Sequence, residues 1–143
     1  MEKHTYLMKK ILVLIIAAMA VVTVNAQSIE NSSGSSTGSI SSDGTIENSS
    51  GSTVGKITSD GTIENSSGST IGKITSSGEI ENSSGSTVGK VTSDGTVENS
   101  SGSTIGKITD DGSVENSSGS TIGRASGVRK EWAAVVFFFF HFN

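Results

Sequence analysis

Residues 61–77 read Gly-Thr-Ile-Glu-Asn-Ser-Ser-Gly-Ser-Thr-Ile-Gly-Lys-Ile-Thr-Ser-Ser, and six near-identical copies of this unit fill most of the 143-residue chain. The shared motif Ile/Val-Glu-Asn-Ser-Ser-Gly recurs every 17 residues, beginning at Ile29, Ile46, Ile63, Ile80, Val97 and Val114. A unit this short cannot bury an apolar face alone and needs its neighbours to complete a core. The period therefore predicts a repeat architecture.

Each unit contains two stretches that favour β-strands and two that favour turns. In the copy quoted above, Thr62–Asn65 and Thr70–Thr75 are β-prone and flank Ser66–Gly68, where glycine accepts a positive φ. A Ser-Asp-Gly element such as Ser59–Gly61 joins consecutive units. The density of Gly and Ser and the lack of a 3.6-residue period exclude helix. Six units thus predict an all-β repeat of about twelve short strands in tandem β-hairpins.

The spacing of the apolar residues leaves the strand register open. Ile71 and Ile74 are three residues apart, so an ideal strand places them on opposite faces. A β-bulge at Gly72 brings both side chains inward, whereas without a bulge one of them faces solvent.

Charged residues discriminate between a stacked solenoid and hairpins closed into a ring or shallow barrel. A solenoid stacks like charges about 4.8 Å apart, which is unfavourable. A ring instead allows the glutamate and the basic residue of one unit to face each other across adjacent strands, which favours the ring. These pairs are Glu47/Lys56, Glu64/Lys73, Glu81/Lys90, Glu98/Lys107 and Glu115/Arg124. Self-assembly as an amyloid-like or β-solenoid surface protein is a further alternative, because identical repeats can template one another.

The first 26 residues are predicted to be a cleaved signal peptide. Lys9 and Lys10 precede an apolar run over residues 11–22, and Val24–Ala26 supplies the small residues that a signal peptidase reads. Met8 is an alternative start. The apolar run is short for a membrane span, which needs about 20 residues. The protein is therefore expected to be exported by a bacterium, to the periplasm or to the outside of the cell.

Charge and cysteine content exclude several classes of function. The leader holds Lys3, Lys9, Lys10 and Glu2, so residues 27–143 keep 7 basic and 13 acidic residues, a net charge of −6. Bulk electrostatics therefore do not attract nucleic acid. Cysteine is absent, which excludes disulfides, thiolate metal ligands, a cysteine nucleophile and a lipid-modified cysteine.

Residues 128–143 form a hydrophobic segment after the repeat domain at residues 27–127. Its stretch Trp132–Phe142 contains all five phenylalanines of the chain. An element that is apolar on every side is normally buried on every side, and about 11 residues are too few to span a bilayer. We interpret the segment as a helical plug inside the ring. The alternatives are a membrane contact through Trp132–Phe142 and a terminal strand that serves as an outer-membrane insertion signal.

No catalytic, cofactor-binding or metal-binding residue is predicted. His141 is the only histidine of residues 27–143 and lies among phenylalanines, where a structural role is expected. The serines occupy repeat-equivalent turn positions, which indicates a turn requirement rather than a nucleophile. A ring gathers equivalent carboxylates that can hold Ca²⁺, but no calcium-loop spacing is present, so we expect a solvated rim. These carboxylates are Glu47, Glu64, Glu81, Glu98 and Glu115, and Asp43, Asp60, Asp94 and Asp111. We expect a protein that is not an enzyme.

The iterated Ile-Glu-Asn-Ser-Ser-Gly-Ser-Thr-Ile-Gly-Lys-Ile unit, followed by Lys130–Val136 and the run Phe137–Phe140, resembles the beta-flower proteins of bacteria. The likeness covers residues 28–142. That family looks like the Tubby and phospholipid scramblase barrels, so the resemblance implies strands around a buried C-terminal helix. It implies a fold more than an activity, because its members mostly lack an assigned one. The basic phosphoinositide pocket of Tubby-like proteins has no counterpart in this acidic chain.

The first unit departs from the others, since Thr37 replaces Ile or Val and Ser39 replaces lysine. We interpret this degeneracy as a mark of ring closure. Two main functions follow from the sequence. One is an exported, non-catalytic structural or binding module with an unidentified ligand or partner. The other is a membrane- or lipid-associated protein that exposes its Phe-rich segment. Shielding of Phe137–Phe140 discriminates between them.

Overall fold

Twelve antiparallel strands close into one barrel in a computed structural model, which describes residues 25–142. Each strand pairs with its sequence neighbours, and the first pairs with the last. The predicted ring of hairpins is therefore confirmed, and the stacked solenoid is wrong. The predicted signal peptide, residues 1–26, lies outside the described residues except for its last two. The strands are β1 (Ala26–Asn31), β2 (Ser36–Ser41), β3 (Thr45–Asn48), β4 (Thr53–Ile57), β5 (Thr62–Asn65), β6 (Thr70–Ile74), β7 (Glu79–Asn82), β8 (Thr87–Val91), β9 (Thr96–Asn99), β10 (Thr104–Ile108), β11 (Ser113–Asn116) and β12 (Thr121–Arg124).

Two kinds of turn define the two ends of the barrel. The Asp rim consists of the turns after the even-numbered strands, such as the one that contains Asp94 between β8 and β9. The Asn rim consists of the turns that follow the odd-numbered strands. In the turn after β7, Asn82 Oδ1 accepts hydrogen bonds from the N–H groups of Ser84 (3.0 Å) and Ser86 (3.1 Å). Gly85 closes this turn with a φ of 81°, a conformation that residues with a Cβ rarely adopt. The Asn rim turns begin at Asn31, Asn48, Asn65, Asn82, Asn99 and Asn116.

We expect replacement of Asn82 by alanine to lower the free energy of unfolding by about 1 kcal/mol, because two turn N–H groups lose their acceptor. The Ser84 hydroxyl, which donates to the same oxygen at 2.7 Å, loses its acceptor as well. Asn82→Asp keeps an acceptor oxygen and should retain most of the stability. Urea unfolding of both variants measures the difference. Equal stability of the alanine and aspartate variants would contradict the role of the side-chain oxygen.

A β-bulge in every hairpin at the Asn rim settles the register. In the β5–β6 pair, Ile63 lies opposite Gly72 and Glu64 lies opposite Thr70, so Ile71 is the extra residue. Ile71 packs half-buried against the core, and the next apolar residue of β6 is buried. Both side chains therefore reach the interior, as the bulge alternative predicted, although the bulged residue is Ile71 itself rather than Gly72.

The hydrophobic C-terminal segment lies inside the barrel as a plug, as predicted. Helix α1 spans Lys130–Ala134 and continues as a π-helical turn over Val135–Phe139. The Phe140 N–H donates to the Val135 carbonyl at 3.0 Å, which is the i→i+5 hydrogen bond of that turn. Within residues 25–142, neither helical segment has the length and apolar character of a membrane-spanning helix. The segment shares one core with the strands, in which the residues Trp132, Ala133, Ala134 and Val135 are buried.

The plug enters the barrel through the Asp rim. At its start, Lys130 Nζ lies 2.6 Å from Asp110 Oδ1. The Arg129 guanidinium lies 5.5 Å from the centre of the Trp132 ring, within the range of a cation–π interaction. The chain then runs toward the Asn rim, where its last described residues lie near Asn48.

Candidate ligand-binding site

Each of the five phenylalanines lies against a glycine of a different even-numbered strand. In the pair between Phe139 and Gly89, a ring carbon lies 2.3 Å from the position that a Cβ atom on the glycine would occupy. The backbone carbonyl oxygen of Glu98, in the neighbouring strand, lies 2.5 Å from the same position. These strands therefore require glycine, because the ring and the backbone fill the space of any side chain. The five pairs are Phe137–Gly123, Phe138–Gly106, Phe139–Gly89, Phe140–Gly72 and Phe142–Gly55.

The π-helical turn lets consecutive phenylalanines reach consecutive hairpins. An α-helix has 3.6 residues per turn, and the i→i+5 hydrogen bond of a π-helix winds a wider turn with more residues. Successive side chains are then separated by a smaller angle, closer to the one-sixth of a turn between neighbouring hairpins. As a result, the side chains from Phe137 to Phe140 step from β12 to β6 one hairpin at a time.

The first hairpin unit, β1–β2, has no phenylalanine against its glycine. Gly38 lies opposite Ile29 just as Gly55 lies opposite Ile46. However, the three atoms nearest to a Cβ at Gly38 all belong to the backbone of the next strand. A cavity of about 230 Å³ occupies this sector at the Asn rim. It is lined by Ile29, Thr37, Gly38, Ile46, Glu47, Asn48, Val54, Val136, Phe140, His141 and Phe142.

The cavity arises because six hairpins face only five phenylalanines. His141 interrupts the phenylalanine run; it is exposed and lines the cavity together with its two neighbours in sequence. Thr37 is also exposed, and its hydroxyl donates to the Ile29 carbonyl at 3.2 Å. In the sequence, His141 and the first unit are separate details, and only the structure shows that they line one cavity. The sequence does contain one indication of this cavity, because it has five phenylalanines for six repeat units.

The register places most basic residues of the strands opposite a glutamate of the next unit, although Lys90 also lies opposite Glu79 of its own unit. The bulge places Thr70 opposite Glu64, so the predicted pairing of Glu64 with Lys73 is wrong. Glu64 instead lies opposite Lys56 of the preceding unit. The same offset holds for Lys73/Glu81, Lys90/Glu98, Lys107/Glu115 and Arg124/Glu30.

Glu47 is the exception to this pairing, because Ser39 rather than a basic residue lies opposite it. A second cavity, of about 280 Å³, lies beside this pair, and Ser28 contributes to its lining. Gly38 and Glu47 line both cavities. The first unit therefore differs from the others in packing and in charge at the same place.

The carboxylates of the Asp rim are held in the ionised form by their own turns. A hydrogen bond from the Thr92 hydroxyl, followed by the N–H and hydroxyl of Thr96, lowers the pKa of Asp94 from 3.8 to about 2. Equivalent hydroxyl and N–H donors lower the pKa of Asp43 and Asp111 to about 2. A carboxyl with so low a pKa is a poor proton donor or acceptor near neutral pH. Within residues 25–142, no three His, Asp or Glu side chains converge as a metal site.

We expect these aspartates to make stability depend on acid pH. Their pKa values are lower in the folded state than the ordinary value, so their contribution is complete above about pH 4 and is lost as the pH falls toward about 2. The turn between β6 and β7 offers a natural control, because Ser77 occupies the aspartate position there. Replacing Asp43, Asp60 and Asp94 by serine should reduce the fall in melting temperature between pH 4 and pH 2, as measured by thermal unfolding. If the melting temperature of this variant falls with pH as steeply as that of the unsubstituted protein, these aspartates are not the source of the acid sensitivity.

The fold and the site define a small, closed β-repeat module with a plugged interior and one open sector. The family model described as "5-fold beta-flower protein" matches residues 26–141, and the chain belongs to this family. The predicted membership of the beta-flower family is thereby confirmed. No curated protein and no solved structure matches the chain. In this barrel, five of the six hairpin units carry a glycine–phenylalanine contact, and the remaining unit carries the cavity.

Proposed function

We propose that this protein is an exported, non-catalytic binding module whose ligand site is the cavity at the first hairpin unit. The observation that carries the proposal is the break in symmetry at Gly38, the strand glycine without a phenylalanine ring in a barrel that repeats closely elsewhere. Ligand sites are typically concave and mostly apolar with a few polar groups. The cavity has this composition, with Ile46 and Phe140 among its apolar walls and Thr37 and His141 among its polar ones.

A role without catalysis is supported by the tasks that the polar groups already perform. The Asp rim carboxylates accept hydrogen bonds from their own turns, as Asp94 does from Thr92. The serine hydroxyls of the Asn rim donate to turn asparagines, as Ser84 does to Asn82. These groups stabilise the scaffold. The first unit is different, because some of its residues depart from the repeat pattern that the turns and strands require.

Export is proposed from the leader and is compatible with the strand boundaries. Cleavage after residue 26 removes Ala26 alone from β1. The next residue, Gln27, pairs with Ile40 and keeps the hairpin intact. Mass spectrometry of the protein from periplasm and medium should find a chain that begins at Gln27. A chain retained in the cytoplasm with its leader intact would contradict export.

Membrane association through Trp132–Phe142 is the second candidate, since the phenylalanines are half-buried rather than fully shielded. The register argues against it. Gly72, which carries the Phe140 ring, lies opposite Asn82, so the turn residues that follow Asn82 extend beyond the level of the ring. The rings are thus recessed behind a polar rim. Self-assembly through strand edges is disfavoured as well, because ring closure pairs every strand of the described region on both sides.

A fragment screen tests the proposed function. Isotopically labelled protein, purified as its host cell processes it, is titrated with chemically diverse small molecules, and amide shifts are followed by NMR. We expect hits to shift the resonances of Gly38, Ile46 and Phe140 and to leave Gly106 unchanged. If no fragment of any class shifts the first unit, the proposal is wrong. Flotation of the protein with anionic phospholipid vesicles would instead support the membrane candidate.

A further inference from the structure

We propose that the cavity at Gly38 binds the six-membered aromatic ring of a small ligand with a neutral or cationic substituent. The inference rests on the proposed function and names the chemistry of its ligand. The barrel itself supplies the template: in five sectors a phenyl ring lies against the strand glycine, and in the sixth the same backbone register faces a cavity. The unfilled sector therefore has the shape of a site for a sixth ring.

The size of the cavity fits this occupant. Its volume of about 230 Å³ exceeds the roughly 150 Å³ of an apolar cavity that admits benzene. Ile29 and Ile46 form part of its walls, and Phe140 and Phe142 supply two aromatic rings. Aromatic rings in contact gain about 0.5–1.5 kcal/mol beyond the burial of their area, which corresponds to roughly 2- to 10-fold in affinity. A flat aromatic ring should thus bind better than a saturated ring of the same size.

The polar residues of the cavity indicate which substituent the aromatic ring of the ligand carries. Thr37 and His141 are exposed and line the same cavity, so a polar group on the ligand can point toward the Asn rim while its ring lies in the cavity. Glu47 contributes its backbone to the cavity wall, while its side chain, next to the inward-facing Ile46 in β3, lies on the outer face opposite Ser39 rather than opposite a basic residue. This uncompensated negative charge close to the cavity, in a region (residues 27–143) of net charge −6, disfavours a carboxylate on the ligand and favours a neutral or cationic group.

Three matched probes test the proposal by NMR titration and calorimetry on the protein purified as its host cell processes it. They are 2-phenylethylamine, 2-cyclohexylethylamine and phenylacetate. We expect saturable binding of 2-phenylethylamine with shifts centred on Gly38 and Ile46. The cyclohexyl analogue should bind about 2- to 10-fold more weakly, and phenylacetate more weakly than the amine. Equal affinity of the phenyl and cyclohexyl amines would overturn the aromatic assignment, and tighter binding of phenylacetate would overturn the charge assignment.

A matched pair of variants locates the binding. Val136 lines the cavity, so Val136→Phe places a phenyl ring of the chain in the open sector and should weaken binding at least tenfold. Val88 is half-buried in another sector, so Val88→Phe makes the same chemical change away from the cavity and should leave affinity unchanged. Melting temperatures of both variants verify folding. Unchanged binding in a folded Val136→Phe variant would overturn the proposed site.

The remaining outcomes separate this inference from the proposed function. Non-aromatic fragments that shift the first unit while the aromatic probes do not would overturn the aromatic ligand but keep the binding module. No shift of the first unit with any fragment would overturn both. Dimerisation that depends on concentration and disappears in Val136→Phe would identify an aromatic side chain of a second copy as the occupant, and would overturn the small ligand.

Discussion

Removal of residues 128–143 is expected to abolish the cooperative unfolding of the barrel. The deletion takes Trp132 and Val135 out of the core together with all five phenylalanines. Replacing a single core Phe or Trp by alanine costs about 3–5 kcal/mol, while a whole domain is stable by only about 5–15 kcal/mol. Loss of the entire plug therefore exceeds the available stability. Circular dichroism and thermal unfolding of the chain truncated after Gly127 provide the measurement.

A single substitution is the graded control for the truncation. Trp132→Ala removes one buried ring and should lower the free energy of unfolding by about 3–5 kcal/mol while keeping a cooperative transition. A truncated chain that melts cooperatively at the temperature of the full chain would show that the segment is not core. The membrane candidate would then take precedence, because the phenylalanines would be available for lipid.

Gly89→Ala is expected to destabilise the barrel by about 1–3 kcal/mol, the usual range for overpacking a filled site. The added methyl group meets both the Phe139 ring and the Glu98 carbonyl oxygen. Combination with Phe139→Ala removes the contact with the ring but not the one with the carbonyl. The two substitutions should therefore be non-additive, with an interaction free energy of about 0.5–3 kcal/mol in a double-mutant cycle measured by urea unfolding.

Gly38→Ala is the matched control for this cycle. A Cβ at Gly38 lies 2.3 Å from the backbone oxygen of Glu47, so the carbonyl contact is present without a phenylalanine ring among the nearest atoms. The losses in free energy of unfolding caused by Gly38→Ala and by Phe139→Ala should therefore be additive in the double variant. Additive free energies for Gly89→Ala and Phe139→Ala as well would mean that the ring does not press on its glycine, and would remove the template on which the aromatic site rests.

The first unit illustrates what a local sequence can and cannot reveal. Thr37 and Ser39 differ from the residues at the equivalent positions of the other repeats, and this degeneracy predicts ring closure at the first unit. Its consequence for packing was not predicted, because the empty sector depends on a match between the repeats and a segment about a hundred residues away. The exposure of His141 was missed for the same reason, since a histidine among phenylalanines gives no indication of which sector it faces.

The sequence by itself determined the number of strands, the turn chemistry, the closed ring and the plug. These features follow from a 17-residue period, from glycine and asparagine in the turns, and from a segment too apolar for water. Only the tertiary structure decided the register, which pairs Lys56 with Glu64 of the next unit rather than with Glu47 of its own. The physical reason is that both pairings satisfy the local pattern, and the bulge at each hairpin selects one. Likewise, the fit of five phenylalanines into six sectors depends on the rotation per residue of the π-helical turn and on the extended residues that follow it inside the closed barrel, a geometry that no single repeat contains.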